Sequence, residues 1–141
     1  MTSVLAIDGA MGEGGGQVLR SALSLALLTG RAFHMTRIRA NRDRPGLRPQ
    51  HLAAVQAAAQ VCGARVSGDR VGSAEITFQP GPVRPGDYRF DIGTAGATAL
   101  VLQTLLLPLA LAPAHRASRE PYRLAPEHAP RRSRGEPACC H

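Results

Sequence analysis

The chain has 141 residues, a length typical of a single domain, and carries a formal net charge of +7 at pH 7. All 17 basic residues are arginine and aromatic residues make up only 4% of the chain, so the composition favours an anionic partner and argues against base-stacking platforms. Three cysteines are too few for a disulfide framework. No signal peptide is recognisable, and the apolar run 99–112 is too short to span a membrane. We therefore expect a cytoplasmic protein with no membrane partner.

A glycine-rich segment joins the first predicted strand, residues 4–7, to the first predicted helix. The helix is indicated by apolar residues at the spacing of one helix face, namely Leu19, Ala22, Leu23, Ala26 and Leu27. We call residues 9–16 the glycine loop, and its candidate binding glycines are Gly12, Gly14, Gly15 and Gly16. Glycine lets a ligand approach the backbone, and the free N–H groups of a helix N-terminus suit phosphate.

The glycine loop does not fit the common nucleotide-binding signatures. The chain contains no lysine, so the loop lacks the Gly-Lys-Ser/Thr ending of a Walker A motif. Gln17 stands where a dinucleotide fingerprint requires its third glycine. The alternative is a tight turn that only joins a strand to a helix. The flanking Glu13, Gln17 and Arg20 favour a binding site over that alternative.

The next predicted elements complete a first structural unit. A strand is predicted over residues 33–38, and Gly30 before it should end the first helix. An arginine loop, residues 39–49, leads into a second helix that is predicted to begin at Pro49 and to stop at Gly63. Its predicted buried face consists of Leu52, Val55, Ala59 and Cys62. Strands over residues 64–67 and 75–78 then give a β-α-β-α-β-β unit, residues 1–82, of the α+β class, with two helices packed on a four-stranded sheet.

A second unit of the same kind is predicted to start within residues 83–113. Residues 88–92 read as a strand and residues 97–111 as a helix, joined by a Gly-x-x-Gly turn like the one at residues 9–12. The helix is apolar nearly all round, so we expect it to pack against a large surface, with Gln103 requiring a polar partner once buried. If the unit is truncated before its next strand, one apolar face of this helix should be left uncovered. The unit is truncated, because residues 114–141 lack a periodic apolar face and are predicted to be a disordered or out-of-frame tail. Cys139, Cys140 and His141 lack the usual spacing of metal ligands.

Three stretches together resemble the RNA 3′-terminal phosphate cyclase family. They are AIDGAMGEGGGQVLRSALSL, IRANRDRPGLRPQHLAAVQAAAQVCGA and YRFDIGTAGATALVLQTLLLPL, and the resemblance covers roughly residues 4–112. It implies a fold of repeated β-α-β-α-β-β units and an enzyme of the ligase class that uses ATP and a divalent metal, Mg²⁺ or Mn²⁺. The implied reaction converts an RNA 3′-phosphate to a 2′,3′-cyclic phosphate through a histidine–AMP intermediate and an RNA-adenylate.

The resemblance also implies roles for individual residues. Gln103 matches a glutamine that contacts ATP, and Glu13 matches a carboxylate that binds the metal or orients an arginine. The residues expected to hold phosphates or RNA are Arg20, Arg39, Arg42 and Gln50. Arginine suits this task because its planar guanidinium stays charged and donates two parallel hydrogen bonds. The alternative for the arginine loop is a solvated charge run.

The chain departs from the family at its end, and this bears on activity. No histidine in residues 114–141 matches the motif of the family's nucleophile, so we assign no catalytic residue and expect this N-terminal part to be inactive alone. Two alternatives are a noncatalytic RNA- or phosphate-binding module and a truncated product without function. His34 is interpreted as structural. His51, at the start of a helix, is expected to hydrogen-bond nearby backbone, with a ligand role as the alternative. The sequence does not indicate an oligomeric state.

Overall fold

The computed structural model describes residues 3–84, 86–93 and 95–112, so the predicted tail and its Cys139–His141 group lie outside the described residues. In chain order the elements are β1 (Leu5–Asp8), α1 (Gly16–Thr29), β2 (Phe33–Thr36), α2 (Pro49–Cys62), β3 (Arg65–Ser67), β4 (Ile76–Gln79) and α3 (Ala95–Leu111). This order confirms the predicted β-α-β-α-β-β unit. Its strand boundaries differ from the predicted ones by one or two residues, as is usual where strands end.

The four strands form one mixed sheet in the order β1-β2-β4-β3. β1 and β2 are parallel, whereas β4 runs antiparallel to both β2 and β3. The register sets Phe33 opposite Phe78, which are both buried and stack with ring centroids 5.7 Å apart. The neighbouring pair, His34 and Thr77, is half-buried and projects from the other face, since successive strand side chains alternate. One sheet face is therefore apolar and covered, and the other is polar.

Two helices cover the apolar face and form one hydrophobic core with it. The predicted buried face of α1 is confirmed at all five positions. The predicted face of α2 is confirmed only in part, because Val55 and Cys62 are buried while Leu52 and Ala59 are half-buried. α2 contacts α1 on one side and α3 on another, and this widens its buried surface to include several alanines. Both helices end where predicted, at Gly30 and Gly63, which adopt left-handed conformations.

The predicted strand over residues 88–92 is wrong. These residues form no strand in the described part of the chain. The Tyr88 hydroxyl donates to the carbonyl of Val61 in the last turn of α2 and to that of Arg84, and Phe90 and Ile92 pack partly buried against the core. A strand needs a neighbouring backbone with which to pair, and the four-stranded sheet of the first unit does not extend to this segment.

α3 packs across α1 and α2, so its expected role as core is confirmed on one side, and the uncovered apolar face expected of a truncated unit is present on the other. Val101, Leu105 and Leu109 are buried, whereas Leu106 is 61% exposed on the opposite side. Gln103 lies on this exposed side, so its amide is not buried. Within residues 3–112, apart from the two gaps, none of the helices combines the length and the hydropathy that crossing a membrane requires.

Docking of α3 can be tested with two leucines that are neighbours in sequence. Leu105 is 0% exposed, so Leu105→Ala should lower the free energy of unfolding by about 2–5 kcal/mol through lost burial and a residual cavity. Leu106→Ala on the exposed side should change it by less than about 0.5 kcal/mol. Urea unfolding followed by circular dichroism measures both values. Equal effects of the two substitutions would contradict the docked position of α3.

Candidate phosphate-binding site

The glycine loop and the arginine loop lie at one edge of the sheet because the strands that precede them are parallel neighbours. β1 pairs with β2 over residues 5–8 and 33–36, so the carboxyl ends of both strands meet at this edge. Ligands commonly bind at the carboxyl ends of parallel strands. A backbone hydrogen bond of 2.7 Å from the Gly9 N–H to the Thr36 carbonyl joins the start of the glycine loop to the end of β2.

Asp8, the last residue of β1, fixes the start of both loops through its two carboxylate oxygens. Oδ1 accepts a hydrogen bond of 2.9 Å from the Ala10 N–H, and Oδ2 lies 3.0 Å from Nη1 of Arg37. Both side chains are well exposed, so the ion pair contributes only about 0–1 kcal/mol to stability. Its main effect is to orient the chain as it leaves β1 and β2.

The glycine loop delivers an uncapped helix N-terminus to this edge. Gly12 and Gly14 have φ values of 62° and 58°, a left-handed conformation that other residues adopt only with strain. Gly15 is the N-cap of α1, no side chain among the described residues caps the helix, and the first turn contains no acidic residue. The first N–H groups and the positive end of the helix dipole therefore stay available to an anion.

Three side chains converge on the surface of Gly15 and Gly16. A Cβ atom built on Gly16 would lie 2.2 Å from Nε2 of His51 and 3.0 Å from Nη1 of Arg20. A Cβ on Gly15 would lie 3.3 Å from Nη2 of Arg42. Glycine at these positions leaves room for donors contributed by α1, the arginine loop and α2. The structure thus brings together two of the predicted phosphate-binding residues, Arg20 and Arg42, with the predicted glycines.

The guanidinium of Arg20 is only partly satisfied. Its Nη2 donates to Oε1 of Gln17 at 2.9 Å, whereas its buried Nε has no hydrogen-bond partner in the described residues. Burial lowers the pKa of Arg20 from its usual value. An unpaired buried donor costs about 1–3 kcal/mol, and this cost would be recovered if a ligand oxygen accepted from it.

Arg42 and Glu13 form a loose pair at the outer side of the glycine loop. Nη2 of Arg42 lies 3.8 Å from Oε2 of Glu13, and the Glu13 side chain is 96% exposed. Such a pair is weak, so Arg42 can turn toward another anion at little cost. The contact is compatible with the predicted orienting role of Glu13. Among the described residues, no group of three or more His, Cys, Asp or Glu side chains is placed so that it could hold a metal ion.

Arg39 closes the arginine loop upon itself. Its Nη1 donates to the carbonyls of Arg44 at 2.8 Å and Gly46 at 3.3 Å. Arg37 and Arg39 both have a φ of 54°, and each begins a tight turn at the start of this loop. Non-glycine residues in this region cost on the order of 1 kcal/mol or more and are often found in ligand-binding segments. The arginine loop therefore has a defined shape, although residues 40–45 within it are exposed.

His51 lies at the site, and its predicted hydrogen bond to nearby backbone is confirmed. It is the third residue of α2 and is 3% exposed, and its Nδ1 accepts a hydrogen bond of 3.1 Å from the Arg48 N–H. Burial, followed by the charges of Arg39, Arg20 and Arg48, lowers its pKa from 6.5 to about 4. The imidazole is neutral at pH 7, and we assign its proton to Nε2 because Nδ1 accepts a hydrogen bond.

The two predicted glutamines lie outside this cluster. Gln50 is exposed at the start of α2, and Gln103 is exposed on the outer side of α3. No hydrogen bond between the described residues joins either amide to Arg20, Arg39 or Arg42. Their expected contacts with RNA and ATP stay predictions.

A known protein family matches the part of the chain that contains the site. The model of the family described as RNA 3′-terminal phosphate cyclase matches residues 11–118. The chain belongs to this family. The matched segment of the RNA 3′-terminal phosphate cyclase family includes every candidate site residue, from Gly12 to Gln103. It also extends a few residues beyond residue 113, where the resemblance was expected to stop.

Curated relatives agree with the family assignment. A Pseudomonas fluorescens protein named RNA 3′-terminal phosphate cyclase is 63% identical over 110 residues, which are 78% of this chain and 32% of the relative. Proteins of that name from Salmonella typhimurium and Salmonella enteritidis are 59% identical over 106 residues, 75% of this chain and 31% of each relative. The chain spans about a third of the length of the curated relatives it matches.

The depressed pKa of His51 predicts a specific loss of stability in mild acid. Because the unfolded histidine binds a proton below about pH 6.5 and the folded one only near pH 4, stability should fall as pH decreases between these values. Each unit of difference between the folded and the unfolded pKa would contribute about 1.4 kcal/mol without screening. Because solvent screens part of the repulsion, the total loss of stability should be smaller, of the order of 1–2 kcal/mol. Urea unfolding at a series of pH values measures it.

His51→Asn serves as the control for this measurement, since asparagine can accept from the Arg48 N–H but does not titrate. Between pH 6.5 and 4 the free energy of unfolding should fall less steeply in the variant than in the wild type, because the variant lacks the titrating histidine. The carboxylates contribute equally to both proteins. Superimposable pH profiles would contradict the assignment of a neutral, buried His51.

Proposed function

We propose that this chain supplies the phosphate-binding part of an ATP-dependent RNA 3′-phosphate cyclase, which converts an RNA 3′-phosphate to a 2′,3′-cyclic phosphate in the cytoplasm. The observation that supports this most strongly is the convergence of Arg20, Arg42 and His51 over Gly15 and Gly16 at the uncapped N-terminus of α1. Helix N–H groups and guanidinium groups around one point form the usual protein environment of a phosphoryl group.

The geometry fits a phosphate rather than a carboxylate or a metal ion alone. Donors approach from α1, the arginine loop and α2, so they surround an anion with several oxygen atoms instead of pairing with one planar group. The buried Nε of Arg20 has no hydrogen-bond partner in the described residues, and this leaves one donor for a ligand oxygen. Arg39 shapes the loop that presents Arg42, and its charge adds to the positive potential.

We assign the remaining substrate contacts on the basis of the family resemblance. Gln103 would contact ATP, and Gln50 at the start of α2 would contact RNA or a phosphate. A divalent metal would be held by Glu13, whose carboxylate is exposed beside Arg42, and it would neutralise phosphate charge. A single carboxylate is compatible with Mg²⁺, which commonly binds one or two carboxylates, substrate phosphates and water.

The 141-residue chain is proposed to bind phosphate without forming a covalent nucleotide adduct. Nucleophilic catalysis requires an activated side chain placed against the reacting phosphorus, and no histidine here matches the family's nucleophile motif. Cyclisation is therefore best measured in a hybrid in which residues 3–112 of this chain replace the matching part of the Pseudomonas fluorescens relative, at 63% identity.

The proposed role of the arginine loop predicts different effects for two of its arginines in the hybrid. Arg42→Ala should reduce conversion of a 3′-phosphorylated oligonucleotide to its cyclic phosphate by about 10²–10³-fold, because a preorganised donor to phosphate is lost. Arg44→Ala in the same loop is the matched control and should stay within about threefold, since Arg44 contributes only its backbone carbonyl to Arg39. Full activity of the Arg42 variant would indicate that the loop is a solvated connection.

A further inference from the structure

One nitrogen of a buried side chain at the site has no hydrogen-bond partner within the described structure. Nδ1 of His51 accepts from the Arg48 N–H, whereas Nε2 makes no hydrogen bond to any described residue. The residue is 3% exposed, and Nε2 faces Gly16 at the N-terminus of α1. A histidine required only to accept from Arg48 could be replaced by asparagine. The second ring nitrogen is therefore a donor that a ligand at this helix end can use.

The surroundings of Nε2 determine what kind of ligand it can meet. Nε2 packs against Gly16 in the first turn of α1, next to Nη1 of Arg20. The charges that act on the ring are those of Arg39, Arg20 and Arg48, and all three are cationic. The nearby carboxylates of Asp8 and Glu13 are directed to Arg37 and Arg42. These charges favour an anion over a cation beside the ring.

We propose that His51 is a phosphate-binding residue, whose neutral imidazole donates its Nε2–H to a phosphoryl oxygen seated over Gly15 and Gly16. This inference rests on the proposed function and adds a donor to the same site. A neutral ring suits the position because a further cation among three arginines would repel them whenever the site is empty. The hydrogen bond from Arg48 to Nδ1 fixes both the orientation of the ring and the tautomer that carries the donor.

Two substitutions by amide residues test the roles of the two ring nitrogen atoms one at a time. In His51→Asn the amide reaches only the Nδ1 position, so the variant keeps an acceptor for the Arg48 N–H and loses the donor at Gly16. In His51→Gln the amide nitrogen reaches the Nε2 position, so the donor is kept and the acceptor is lost. A purely structural histidine would make the glutamine variant the more damaged of the two. A phosphate-binding histidine would make the asparagine variant the weaker binder.

The experiment measures binding of inorganic pyrophosphate to the full 141-residue chain by isothermal titration calorimetry at pH 7.5. We expect His51→Asn to raise the Kd about tenfold and His51→Gln to raise it less than about threefold. Thermal melting without pyrophosphate should rank the variants in the opposite order, because His51→Gln loses the hydrogen bond that starts α2. Wild-type affinity in His51→Asn would overturn the role of His51 and leave the proposed phosphate site intact.

Absence of pyrophosphate binding by the wild-type chain would overturn the phosphate site and the role of His51 together. If His51→Asn does not fold, a measurement on the wild-type chain alone can test the proposed hydrogen bond. Long-range ¹H–¹⁵N correlation spectra of the imidazole should then show Nε2 of His51 shifting on addition of pyrophosphate, with Nδ1 shifting less. An unchanged Nε2 resonance at saturating pyrophosphate would refute the proposed hydrogen bond.

Discussion

The parallel pairing of β1 with β2 is the constraint on which the site depends. Since the two strands run in the same direction, the segments that leave their carboxyl ends meet at one sheet edge, although they are far apart in sequence. Asp8 strengthens this arrangement by binding the Ala10 N–H and Arg37 with its two oxygens. The N-terminus of α1 thus lies against the start of α2, where His51 closes the gap between the helices.

The site concentrates positive charge with little compensation. Arg20, Arg39 and Arg48 lower the pKa of His51, while the carboxylate of Asp8 is directed to Arg37 and that of Glu13 is exposed. Together with the unpaired Nε of Arg20 and the left-handed Arg37 and Arg39, this arrangement lowers the stability of the folded chain. A bound phosphate would relieve repulsion and satisfy donors in one step, so binding should stabilise the fold.

The sequence predicts the parts of this protein that have a local signal. Helix periodicity identified the buried face of α1, and glycine and proline marked the ends of both covering helices, because these effects act within a few residues. The interpretation of residues 88–92 as a strand was wrong because strand formation depends on a distant partner. Periodicity could not decide how much of α3 is covered, since Leu105 and Leu106 are equally apolar in sequence and differ only in what packs against them. The local hydrogen bond of His51 to Arg48 could be predicted, whereas its place against Gly16 could not, because that contact spans 35 residues and no local pattern marks it.

The most direct test of the phosphate site is a titration of the ¹⁵N-labelled chain with inorganic pyrophosphate, followed by ¹H–¹⁵N correlation spectra of the backbone amides. An anion at the N-terminus of α1 accepts from the first free N–H groups of the helix. The largest shifts should therefore fall on Gly15, Gly16, Gln17 and Val18, with smaller shifts in the arginine loop. Shifts spread evenly over exposed arginines such as Arg65 and Arg70, with the amides of residues 15–18 unchanged, would contradict the account.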